Sequence, residues 1–208
     1  MMSLLRRIAM SAAATALVLA ATASVGAQVG KSLGVKDANT MSEAELAAIP
    51  SVTPAIAKAI VAKRPFVSIT ELNSLLLSQG LTQEQANAVY GKAFVHINLN
   101  TATNEEILLV PGAGRRMARE FPEYRPWRTY AQFDKEIGKY VGAEATAKLA
   151  QYTFIPMNAN SASDADLMTV PGATQAWVDA VKKGRPYKTA ADLEKTAGKA
   201  QARFFVVE

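Results

Sequence analysis

Three short signatures recur along this 208-residue chain in fixed register, and that periodicity restricts the fold more than any other feature. Asn39-Thr40, Asn100-Thr101 and Asn160-Ser161 are separated by 61 and 60 residues. Ile49-Pro50, Val110-Pro111 and Val170-Pro171 keep the same offsets, as do Arg64-Pro65-Phe66, Arg125-Pro126-Trp127 and Arg185-Pro186-Tyr187. In every copy fourteen residues separate the proline of the first of these signatures from the arginine of the next. A period of this length describes one supersecondary unit used repeatedly, each copy completing its core against a neighbour.

Within each copy the pattern is helical. Ser42-x-x-Glu45, Thr103-x-x-Glu106 and Ser163-x-x-Asp166 have the form of a capping box, in which a hydroxyl and an acid three residues on satisfy each other's backbone amides. Apolar pairs follow at helical spacing: Leu46/Ile49, Ile107/Val110 and Leu167/Val170, then Ile56/Ile60, Met117/Phe121 and Trp177/Val181 after a proline-containing turn. Ser68-x-x-Glu71, Thr129-x-x-Gln132 and Thr189-x-x-Asp192 open a third helix, with Leu72, Phe133 and Leu193 as its core positions. Further turns are expected at Gly80 and Gly142, and the third copy is curtailed, with ten residues after Gly198. Strand signals are weak; Val95–Leu99 and Phe204–Val207 are short apolar runs that suit an extended segment or a buried connector equally. The expected fold is all-α, a tandem array of helix–turn–helix units.

The first residues read as an address. A basic stretch, Met1–Arg7, precedes the uncharged Ile8–Ser24, and Val25-Gly26-Ala27 supplies small residues before Gln28. This predicts a cleaved signal peptide over 1–27, export to the periplasm, and no stable membrane span after cleavage. The remaining organisation is a linker at 28–37 and units at 38–97, 98–157 and 158–208, the last truncated. Loss of Arg6 and Arg7 with the leader leaves 21 Lys+Arg against 18 Asp+Glu, a mildly basic chain that permits a nucleic-acid partner without requiring one. With no cysteine and one histidine, His96, thiol chemistry, a disulfide framework and a multi-histidine metal site are excluded. His96 has no second histidine or carboxylate pair in sequence reach, so it reads as a capped core or surface residue. No triad, metal motif or nucleotide loop is present, and no enzyme is expected.

The middle turn is the exception. Val110-Pro111-Gly112-Ala113-Gly114-Arg115-Arg116 places Gly-x-Gly at the start of a helix, where amides lack internal partners and the helix dipole is positive. Glycine there admits positive φ and leaves no Cβ between the backbone and a ligand. Arg115 and Arg119 lie one turn apart with Arg116 beside them, a combination suited to a phosphate.

Asn98-Leu99-Asn100-Thr101-Ala102, the Val110–Gly114 turn and Tyr124-Arg125 resemble the helix-hairpin-helix domain of the ComEA competence family, whose fold is SAM-like. The resemblance covers about Asn98–Tyr152, with weaker copies across nearly all of the rest. It implies an exported protein that binds double-stranded DNA without sequence preference, through its phosphate backbone. The contacts it implies are Gly112, Ala113 and Gly114 together with Arg115, Arg116 and Arg119. It calls for no cofactor, and it allows a monovalent cation held by backbone carbonyls at the hairpin turn.

The outer copies depart from this pattern. The first turn, Pro50-Ser51-Val52-Thr53-Pro54, has neither glycine and reads as an ordinary capped helix start. The third, Pro171-Gly172-Ala173-Thr174-Gln175, keeps one; Gly172, Thr174, Lys182 and Lys183 form a secondary candidate set for DNA. In the middle copy Pro122 is expected to kink or end the second helix. Two readings therefore stand: sequence-independent binding of duplex DNA, as in DNA uptake, or a periplasmic helical scaffold whose partners are other envelope proteins and which no longer binds DNA.

Overall fold

The computed structural model describes residues 29–208. The expected leader, 1–27, lies outside the described residues, as does Gln28 of the expected linker.

The described chain is mostly helical, with six strands of two residues each. Its first segment runs β1 (Lys36–Asp37), α1 (Glu43–Ala47), α2 (Pro54–Lys63), α3 (Ile69–Ser78), α4 (Gln83–Tyr90) and β2 (Ala93–Phe94). The second runs β3 (Ile97–Asn98), α5 (Asn104–Leu108), α6 (Gly114–Glu123), α7 (Tyr130–Ala150) and β4 (Thr153–Phe154), with α7 broken at Gly142, whose φ is 78°. The third runs β5 (Met157–Asn158), α8 (Asp164–Leu167), α9 (Gln175–Lys183), α10 (Ala190–Ala197), α11 (Lys199–Ala202) and β6 (Phe205–Val206). The shortening of the third segment falls on α11, four residues against the eight of α4; β6 still closes it.

The strands pair parallel, first with last inside each segment: Lys36 opposite Ala93, Ile97 opposite Thr153 and Met157 opposite Phe205. Parallel pairing needs a long crossover, and here the helices of the segment supply it. Two residues are too few to carry a period-2 pattern, which is why these ladders left so little trace in the sequence. β1 occupies the last two positions of the expected linker, and residues 29–35 form a strap in front of it. Val29 bridges to Phe154, the Gly30 amide donates to Thr153 O, and the Leu33 amide to Gln151 Oε1. A Cβ on Gly30 would lie 1.9 Å from Ala150 O, so the strap needs glycine where it crosses α7.

The recurrent Asn and Arg-Pro-aromatic signatures are two halves of one tie. Asn39, Asn100 and Asn160 each accept at Oδ1 from the amide of Phe66, Trp127 or Tyr187, and donate from Nδ2 to that residue's carbonyl. The three aromatic side chains are buried. Arg125 donates to the carbonyls of Leu99 and Ala102, and Arg185 to those of Ala159 and Ala162. These arginines are half-buried and are spent on backbone carbonyls of the chain. Arg64 departs: its Nε and one Nη are buried without a hydrogen-bond partner among the described residues.

The expected capping boxes at Ser42, Thr103 and Ser163 are present. One hydrophobic core runs through the first and second segments, and a second cluster, built around Val170, Val178, Leu193 and Phe204, fills the third. Pro122 falls in the last turn of α6, and the Trp127 indole N–H donates to the helix-end carbonyl of Phe121 at 2.8 Å, as the Tyr187 hydroxyl does to Val181 O in the third segment.

Segments are joined by polar contacts between distant residues. Ser68 donates to Glu106 Oε1 at 2.7 Å. Asp37, in the first segment, takes His96 Nδ1 at 2.9 Å and the Arg203 guanidinium at 2.7 Å, both on Oδ2, and the Asn39 amide on Oδ1. Burial alone would raise the Asp37 pKa; the His96 hydrogen bond, the Arg203 charge and the Asn39 amide outweigh it and hold the carboxyl at about 2.

Candidate nucleic-acid interface

All three first turns share a left-handed residue after the proline. It is Ser51 (φ 71°) in the first, Gly112 (φ 85°) in the second and Gly172 (φ 78°) in the third. This position serves the turn itself, because a helix must reverse there in every segment. What sets the middle turn apart is the residue at the cap position and the charge at the next helix start.

In the first and third segments a threonine caps that helix. Thr53 Oγ1 accepts from the Ile56 amide at 3.3 Å and Thr174 Oγ1 from the Trp177 amide at 3.2 Å. In the middle segment Gly114 stands in their place with φ 57°, preceded by Ala113 in the helical region, and no side chain caps α6. Ala113 N–H donates to Val110 O. The N–H groups of Gly112, Gly114, Arg115 and Arg116 have no acceptor among the described residues, and the same holds for their counterparts in the third turn, Gly172, Thr174, Gln175 and Ala176, so the free amides are shared and the arginines beside them are not. A Cβ built on Gly112 or Gly114 meets nothing within 4 Å, so the turn is open from outside.

The charge around these amides is unusual for a helix start. The preceding helices α1, α5 and α8 each carry two acids in the first turn, where the dipole favours them. The first turn of α6 carries no acid and two arginines instead. A cation at that end costs about 0.3–1 kcal/mol at low ionic strength unless an anion neutralises it. Arg115, Arg116 and Arg119 are exposed, and no carboxylate lies within 4.0 Å of any of them among the described residues; neither Glu120 nor Glu123 pairs with them. The Arg116 guanidinium rests 5.3 Å from the centre of the Tyr140 ring. Tyr140 is fixed in turn by a 2.7 Å hydrogen bond between its hydroxyl and that of Tyr124, and Lys139 lies over the Tyr124 ring. The sequence offered no sign of this Tyr124–Tyr140 pair, which brings α7 to the side of α6.

The secondary candidates sit differently. Gly172 faces the first segment: a Cβ there would lie 2.9 Å from Thr40 Cγ2. Thr174 is spent on its own helix cap. Lys182 is paired with Asp164 at 2.6 Å, while Lys183 is exposed with no ion-pair partner among the described residues. In the second turn of the middle segment, Glu144 is paired with Lys148 at 2.7 Å.

His96 is buried against Asp37, so the carboxylate that short-range reading did not find comes from 59 residues away. Trp127 is a core residue, 1 % exposed. Among the described residues no group of three or more His, Asp or Glu side chains could hold a metal ion, and no helix is long and apolar enough to cross a membrane. No protein-family model, curated protein or solved structure matches the chain.

Proposed function

We propose that this protein is an exported, sequence-independent binder of double-stranded DNA, built from tandem helix-hairpin-helix units, that grips the phosphate backbone at the turn between α5 and α6. The observation that carries this reading is the uncapped start of α6: four free amides beside three unpaired arginines, at a helix end where cations are otherwise unfavourable. A phosphate oxygen would accept from the Gly114–Arg116 amides and pair with the guanidinium groups in one contact. The site departs from local helix rules in a direction that an anion would repay, as functional sites do.

The outer segments fit a supporting role. Thr53 and Thr174 each satisfy one amide of their helices, no arginine stands at either helix start, and the third turn rests on Thr40. The proposal therefore assigns affinity to Gly112, Ala113, Gly114, Arg115, Arg116 and Arg119, and keeps Gly172, Thr174, Lys182 and Lys183 as secondary contacts at most. No reaction and no cofactor are part of it; a monovalent cation at the turn would be held by backbone carbonyls. On this reading a leader over 1–27 directs the protein to the periplasm, where DNA uptake is the process such binding would serve.

The test is a salt series of duplex binding with the purified protein. Each phosphate neutralised contributes about 0.9 to the slope of log K against log salt, and a single turn should engage only a few. Affinity should hardly vary with duplex sequence, because amides and arginines on phosphates do not read base edges. A protein that binds no duplex even at low ionic strength is a scaffold with envelope-protein partners, and the proposal falls.

A further inference from the structure

The middle segment differs from the other two at three positions far apart in the chain. Two residues past Thr53, Gly114 and Thr174 stand Ala55, Arg116 and Ala176. Directly before the Arg-Pro signature stand Lys63, Tyr124 and Gly184. Two residues before the left-handed glycines Gly80, Gly142 and Gly198 stand Ser78, Tyr140 and Thr196. The arginine and both tyrosines thus occur in the same segment, and the fold brings the three side chains together.

Their contacts form a line that starts in the core. The buried Trp127 ring lies 5.9 Å from the Tyr124 ring, centre to centre. Tyr124 and Tyr140 are half-buried against the core shared by the first and second segments, and their hydroxyls hydrogen-bond at 2.7 Å. The line ends at Arg116, whose guanidinium lies over the Tyr140 ring at 5.3 Å from its centre. Such a contact sets positive charge against the ring face and uses none of the five N–H donors, which stay available to a phosphate. Arg115 and Arg119 lie over no aromatic ring among the described residues.

We propose that Tyr140, braced by Tyr124, is a positioning residue for duplex DNA, holding Arg116 in place beside the α5–α6 turn before a phosphate arrives. The inference rests on the phosphate reading of that turn and adds how one of its three arginines is ordered. An arginine that is mobile in water must be immobilised on binding, and fixing so long a side chain costs about two- to tenfold in affinity. A ring that already holds the guanidinium removes part of that cost and brings no charge of its own. Tyr140 therefore raises affinity without touching the salt dependence, whereas an arginine contributes to both.

The experiment is fluorescence anisotropy of one duplex across a salt series, with wild type, Tyr140→Leu, Tyr140→Phe, Arg116→Gln and the Arg116→Gln/Tyr140→Leu double variant. Tyr140→Leu keeps an apolar contact with the core and should weaken binding about two- to tenfold with the salt slope unchanged. Tyr140→Phe, which keeps the ring, should restore most of that loss. Arg116→Gln should lower the slope by about 0.9, and adding Tyr140→Leu to it should change nothing further. In the DNA-free wild type, NMR should show cross-peaks between the Arg116 side chain and the Tyr140 ring, a readout that depends on no variant folding. Missing cross-peaks, a Tyr140→Leu protein that binds like wild type, or a Tyr140→Phe protein as weak as Tyr140→Leu would each overturn the proposal. So would an equal loss from Tyr140→Leu with and without Arg116, because the ring would then serve only the fold. A wild type with no duplex affinity removes the phosphate reading and this role together; a wild type that binds duplex and is indifferent to Tyr140 removes this role alone.

Discussion

Acid should destabilise this protein through one carboxyl group in particular. Asp37 is 2 % exposed at its side chain, and its folded pKa is depressed from 3.8 to about 2. A group whose pKa is lower folded than unfolded contributes stability above the unfolded value and loses it as pH falls through the folded one. The window is therefore pH 4 to 2. A depression of that size corresponds to about 2 kcal/mol at 1.36 kcal/mol per pH unit. The perturbation is Asp37→Asn, which keeps an oxygen for the Asn39 amide but removes the charge that His96 and Arg203 share. At pH 7 the variant leaves a guanidinium that is 11 % exposed without its carboxylate, and breaking a buried pair in this way costs about 3–5 kcal/mol. The assay is urea unfolding followed by circular dichroism at pH 7, 4, 3 and 2. The gap between wild type and Asp37→Asn should narrow by about 2 kcal/mol between pH 4 and pH 2. Other carboxylates titrate in both proteins and cancel in the difference. Parallel curves for the two proteins across that window would refute the assignment of Asp37 as an ionised, charge-paired group.

Four further outcomes follow from named contacts. Replacing Arg115, Arg116 and Arg119 together by Gln should remove most duplex binding and lower the salt slope by about two to three, whereas Lys182→Gln with Lys183→Gln should change it by less than one; fluorescence anisotropy across a salt series reads both. Gly114→Asn, a residue tolerated at positive φ, should stay as stable as wild type by thermal melting yet bind duplex several-fold more weakly, because a side chain then stands over the open amides. Ser51→Gly should raise stability by about 1 kcal/mol, since Ser51 holds φ 71° where the other two turns have glycine, and should leave duplex affinity unchanged. Asn100→Ala should cost about 2–3 kcal/mol in urea unfolding, because it strands both the amide and the carbonyl of Trp127.

The sequence by itself determined the first three helices of each segment, their starts and the places where the chain turns; α4, the end of α7 and α11 were not read as helices. Capping boxes, apolar pairs at helical spacing and turn residues act within four or five positions, so Ser42, Thr103 and Ser163 announce their helices without any knowledge of the fold. The middle turn was legible for the same reason: Gly112, Gly114 and the arginines are neighbours in the chain, and the absence of a threonine at Gly114 can be read against Thr53 and Thr174. The Asn and Arg-Pro-aromatic signatures were visible as a register, but their meaning was not, since 27 residues separate Asn100 from the Trp127 backbone it holds. The parallel ladders, at two residues a strand, are too short to leave a pattern. The tertiary structure decided what His96 touches. Asp37 stands where the other segments have Asn98 and Asn158, the one local hint, but its partners come from 59 and 166 residues away. Hydrogen bonds and ion pairs depend on distance in space, and only the packing of the third segment onto the first brings Arg203 within 2.7 Å of that carboxylate.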